Sequence, residues 1–100
     1  MSKFHLHLTC PIKAEETLCD VVLACVGDAV FSCSYAYEYN AASASLSAEE
    51  QVLGRSRTVH LQLLLQEPAL TQLLNAVEQQ VKGQGIRYWT VPVIHEGQIK

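Results

Sequence analysis

The sequence predicts an α+β sandwich whose elements run β-α-β-β-α-β along the chain. Three observations carry that order. Apolar and polar residues alternate in separate stretches near 3–9, 30–39, 57–65 and 86–94, the period of strands. Apolar residues recur at helical spacing between the first and second stretch, and again between the third and fourth. The length of 100 residues suits one domain spanning 1–100 and leaves little room for a second.

In the first stretch, Phe4, Leu6 and Leu8 alternate with His5, His7 and Thr9, so one face is buried. Pro11 stops that strand. Ala14, Leu18, Val21 or Val22, and Cys25 then follow the period of a helix, with Glu15 and Glu16 in the first turn, where the helix dipole favours them. Gly27 and Asp28 close the helix as a turn. In the second strand, over 30–39, Phe31, Cys33, Tyr35, Tyr37 and Tyr39 share one face.

Residues 40–54 form the longest connection and are rich in Ala and Ser, the composition of a segment with low local stability. Ser47 and Glu50 have capping-box spacing, which predicts a short helical turn over 48–53. The third strand, over 57–65, sets Val59, Leu61, Leu63 and Leu65 on one face. Pro68 fits the first position of a second helix, whose apolar stripe is Leu70, Leu73, Leu74, Val77 and Val81. Lys82 to Gly85, reading KGQG, breaks that helix before the fourth strand over 86–94. This order closes as a ferredoxin-like split βαβ unit: a four-stranded antiparallel sheet with both helices on one face. The other face stays bare, and it carries aromatic and aliphatic side chains that call for a partner.

Hydrophobic residues make up 49% of the chain and charged ones 17%, which supports a packed core and excludes intrinsic disorder. The net charge is −3 and the seven basic residues are scattered, so the sequence lacks the basic stripe of a nucleic-acid binder. The N-terminal residues MSKFHLHLTCPIK show no signal peptide, and no apolar stretch is long enough to insert into a membrane. A cytoplasmic location is expected. Cys10, Cys19, Cys25 and Cys33 lack the spacing of a disulfide framework and are expected to be reduced, mostly buried thiols.

Two sets of residues are candidates for binding. Gly54, Arg55 and Arg57 follow the long connection, and Lys82, Gly83, Gly85 and Arg87 form a second basic turn. The planar guanidinium fork suits carboxylate or phosphate, and glycine lets backbone amides approach an anion. The plainer alternative is pairing with Glu49, Glu50 or a neighbouring subunit. The second set is His5, His7 and His60. Strand one neighbours strand three in this fold, so three imidazoles can gather on the bare face, where zinc, copper or nickel would find ligands. The plainer alternative here is three amphipathic side chains at a subunit interface.

Catalysis is not expected. No Ser or Cys nucleophile has a His partner in a recognisable motif, and TCPIKAE after strand one lacks the Arg of an acylphosphatase phosphate loop. A copper-chaperone clamp needs a second Cys three positions after Cys10, where Lys13 stands.

Gly54-Arg55 within GRSRTVHLQLLLQ, and Tyr88-Trp89-x-Val91-Pro92-Val93 within IRYWTVPVIHEGQI, carry a resemblance to a family beyond this reading. The chain resembles, over nearly its whole length, a family of small bacterial PII-like proteins often encoded beside heavy-metal efflux transporters. It is similar, more distantly, to PII nitrogen regulatory proteins and to CutA-type cation-tolerance proteins. The resemblance implies a homotrimer with the bare sheet faces packed around the threefold axis. It also implies a regulatory ligand in the clefts between subunits, an adenine nucleotide in PII itself, and a protein partner, such as a membrane transporter, contacted through the 40–54 loop. The alternative it implies, of CutA-like type, is direct binding of a divalent metal in metal tolerance. The chain departs from PII in its shorter loop and in its reduced turn before strand four, where Arg87 stands in place of a phosphate-contacting lysine. It also stops at Lys100, soon after strand four, without the C-terminal basic residues that PII uses, and these departures weigh against ATP binding in the PII manner.

Overall fold

The computed structural model describes residues 2–39, 48–49 and 54–100. The elements are β1 (Lys3–Pro11), a single 3-10 turn (Ile12–Ala14), α1 (Glu15–Val26), β2 (Phe31–Tyr39), β3 (Arg55–Gln66), α2 (Glu67–Gln80) and β4 (Arg87–Val93). Among the described residues the strands form one antiparallel sheet in the order β2-β3-β1-β4. This is the ferredoxin-like α+β sandwich that the alternation and the helical stripes predict. Ala48 and Glu49 are helical, and the rest of the turn predicted over 48–53 lies outside the described residues.

The core sits between the two central strands and both helices. Leu6, Leu8 and Cys10 of β1 and Val59, Leu61, Leu63 and Leu65 of β3 meet Leu18, Val21 and Val22 of α1 and Leu70, Leu73 and Val77 of α2 in one cluster. Five of these leucines (Leu6, Leu8, Leu18, Leu61 and Leu73) are completely shielded from solvent. Burying each stabilises the fold by about 1.5–3 kcal/mol. Gly27, at φ 59°, ends α1 in a conformation that costs other residues a clash at Cβ. Gly85, in the turn after α2, takes φ 77°, a left-handed backbone that favours glycine.

Strand limits shift slightly from the sequence reading. β3 starts at Arg55 because Arg55 and Ser56 ladder with Tyr39 and Glu38 of β2. Val30 and Ile94 fall outside their strands and are almost fully exposed.

Two cysteines correct the expectation of mostly buried thiols. All four are free; Cys10 is buried and Cys19 partly so, but Cys25 and Cys33 are exposed. Cys25 lies off the row that packs inward, which runs through Leu18, Val22 and Val26 at four-residue steps. Cys33 faces the helix side of the sheet, opposite Leu61, but β2 is an edge strand that α1 meets at its margin, through Glu15, without burying it. The same geometry exposes Tyr35, Tyr37 and Tyr39, each more than half.

Candidate functional site

The open face of the sheet is built by residues that alternate against the core set. β1 contributes His5, His7 and Thr9; β3 contributes Thr58, His60, Gln62 and Leu64; β4 contributes Arg87, Trp89 and Val91. The register sets His7 opposite Gln62 on one side and Trp89 on the other, with His60 one pair along, opposite Thr9. The predicted gathering of His5, His7 and His60 therefore occurs. His7 Nδ1 lies 3.0 Å from His60 Nε2, and the His5 and His7 rings are 4.0 Å apart.

A contact of that length between imidazole nitrogens is a hydrogen bond when one nitrogen carries a proton and the other does not. Burial, and the neighbouring His5 and His60, lower the His7 pKa below its ordinary 6.5. The His7 ring is thereby held in its neutral form, able to take part in such a bond and to stack. Trp89 completes the cluster, stacked on His7 at 4.9 Å with planes 9° apart and 5.6 Å from His60. Trp89 entered the sequence reading only as a family marker. Its place beside the histidines depends on the β1–β4 register, which periodicity alone does not give. Among the described residues, no group of three or more His, Cys, Asp or Glu side chains is arranged to hold a metal ion. The imidazoles gather without forming a three-ligand set.

Beside His5, a shallow groove of about 450 Å³ runs over Ser32, Gln62 and Leu64 towards Ala29 and Val30. Trp89, Val91 and Leu64 keep 40–46% of their surface exposed on this face.

The basic candidates divide between the two faces. Arg55 and Arg57 keep the parity of Val59 and Leu61 and so belong to the helix side, whereas Arg87, opposite Thr9, belongs to the open face. The Arg55 guanidinium lies 4.0 Å over the Tyr37 ring and donates to the Tyr39 hydroxyl at 3.5 Å, a contact that raises its pKa. Its Nε, shielded from solvent, has no hydrogen-bond partner among the described residues. Arg87 reaches Glu38 at 3.3 Å. Lys82, Gly83 and Gly85 lie exposed in the turn between α2 and β4, with both glycines at positive φ, as is Gly54 before β3. Within one protomer the sheet stands between Arg55 and Arg87.

A further cluster, absent from the sequence reading, joins α1 to β2. Glu15 accepts hydrogen bonds from the Tyr35 hydroxyl and, at 3.8 Å, from the Cys33 thiol. The Tyr35 pKa is pushed up to about 12, first by its hydrogen bond to the carboxylate. Burial is the first cause that raises the thiols, with Cys10 pushed up to about 11 and Cys19 and Cys33 also raised. The signal in the sequence was Glu15 four residues before Cys19, but its partner strand was not predictable.

A family model described as "Protein of unknown function (DUF3240)" matches residues 1–100. The chain belongs to this family. No curated protein matches it. Among solved structures, a DUF3240 protein from Shewanella baltica is 17% identical with a TM-score of 0.76, over 100% of this chain and 99% of that one. CPII, a nitrogen regulatory PII-like protein from Thiomonas intermedia solved with ADP, AMP and bicarbonate, is 10% identical with a TM-score of 0.62, over 99% and 98%. The periplasmic divalent cation tolerance protein CutA from Archaeoglobus fulgidus is 7% identical with a TM-score of 0.68, over 96% and 88%. At these identities the likeness is one of fold. The DUF3240 chain thus has the PII-like fold that its β4 motif suggested. Among the described residues, no helix is long and apolar enough to cross a membrane.

Proposed function

We propose that this DUF3240 protein is a cytoplasmic, single-domain PII-like regulator that acts by binding and not by catalysis. It assembles as a homotrimer through the open sheet face and takes a small anionic ligand in the clefts between subunits. It signals to a protein partner, such as a heavy-metal efflux transporter, through residues 40–54. One observation carries this reading: the open face presents Trp89, Val91 and Leu64 without a covering layer. The separation of the basic residues supports the intersubunit site, since Arg55 and Arg57 on one face meet an Arg87 on the other only when a second protomer supplies it. The Arg55 Nε, without a hydrogen-bond partner among the described residues, is a donor that a carboxylate or phosphate oxygen would satisfy. That CPII was solved with ADP, AMP and bicarbonate makes these the first ligands to try.

A second reading, direct binding of a divalent metal, draws on the approach of His7 to His60 at 3.0 Å and on the likeness to a cation tolerance protein. Calorimetric titration separates the two. Heat with ADP, AMP or bicarbonate supports the regulator. Heat with zinc, copper or nickel that disappears in His7→Gln, and none with the anions, supports the metal binder.

A further inference from the structure

We propose that Cys19 and Cys33 form a redox-active dithiol on the helix side of the sheet, which a small disulfide such as oxidised glutathione converts into a disulfide tying β2 to α1. Glu15 and Cys19 are one helical turn apart and share a face of α1. Cys33 of β2 touches Glu15 at 3.8 Å, which brings its thiol to the face of α1 that also carries Cys19. Both sulfurs stand within reach of a small reagent, with Cys33 exposed and Cys19 partly so, while Cys10 is sealed in the core. Cys33 also lies on the face opposite the histidines, so packing of the open face leaves it accessible.

The chemistry balances without a further oxidant. The Cys33 thiolate attacks one sulfur of oxidised glutathione, forming a mixed disulfide and releasing one glutathione thiolate, which takes up a proton. The Cys19 thiolate then attacks the Cys33 sulfur and expels the second glutathione. Two protein thiols and one small disulfide become one protein disulfide and two glutathione thiols. Among the described residues β2 is hydrogen-bonded in the sheet only to β3, so a covalent link to α1 holds this edge strand from a second side.

The test uses the whole wild-type chain, incubated with oxidised glutathione, quenched in acid, alkylated and digested without reduction. The expected product is a peptide pair joined through Cys19 and Cys33 within one chain, with Cys10 alkylated and no glutathione retained on Cys33. Cys19→Ser should instead trap glutathione on Cys33. The proposal fails if wild-type Cys33 accumulates as the mixed disulfide just as it does in Cys19→Ser. It fails equally if Cys33 stays reduced, or if its disulfide joins Cys10 or a second chain.

Discussion

His7 and His60 are separated by 53 positions in the chain yet meet nitrogen to nitrogen at 3.0 Å on the open sheet face. The β1–β3 register makes the contact, since it pairs Thr9 with His60 and leaves His7 on the diagonal. Trp89 of β4 stacks on His7 and stands tilted to His60. Neutral rings suit this arrangement, and a proton on each would set two cations nitrogen to nitrogen.

Acid should therefore loosen the fold. The folded His7 pKa lies below the unfolded value of 6.5, so the unfolded chain takes up a proton first as the pH falls. The contribution to stability is complete above 6.5 and is lost on acidification from there through the lower folded pKa. Urea midpoints measured across this range should drop for the wild type and flatten for His7→Gln. A wild-type midpoint that ignores pH between 7 and 5, about the titration range of histidine, would contradict the lowered His7 pKa.

Tyr35 should stand apart among the tyrosines. Its hydroxyl donates to Glu15, and its pKa is pushed up to about 12. Ultraviolet titration should show one late phenol, absent in Tyr35→Phe and returned towards the ordinary range by Glu15→Gln. A late phenol that survives Glu15→Gln would assign the shift to something other than the carboxylate.

Leu61 and Trp89 should fail in different ways. Leu61 is fully buried in a central strand, so Leu61→Ala should cost about 2–5 kcal/mol in chemical denaturation. Trp89 keeps 42% of its surface exposed on the open face. Trp89→Ala should leave the fold intact and lower the self-association measured by light scattering. A wild-type chain that scatters as a monomer at concentrations where small trimers persist would refute association through this face.

Arg55 and Arg87 should act together across a subunit boundary. Removing both, as Arg55→Ala with Arg87→Ala, should abolish calorimetric binding of ADP, AMP or bicarbonate while leaving the assembly intact. The Arg87–Glu38 pair is exposed, so its loss should shift stability by no more than about 1 kcal/mol. Undiminished binding by the double variant would move the ligand to the groove beside His5.

Much of this molecule was legible along the chain. Leu6 and Leu8, and Val59 through Leu65, alternate because strands with one buried face impose a period of two. Leu18 and Val22, or Leu73 and Val77, recur because a helix turns every 3.6 residues. Such patterns are local, and they determined the elements, their order and the face each turns to the core. Cys33 shows where they stop. Its parity was right, but its exposure follows from β2 standing at the sheet edge, where α1 meets it only at the margin.

Register and lateral position decided the rest. Only the pairing of strands distant in sequence brings His60 to His7, Trp89 onto His7, Cys33 to Glu15, and Arg87 to the face opposite Arg55. A shift of one residue in β3 would turn His60 inward and Leu61 outward. The alternation of β3 thus settles which face His60 takes. How far along β1 it sits is settled by the packing of the whole core, an energy summed over residues far apart in the chain, which no local stretch of sequence carries.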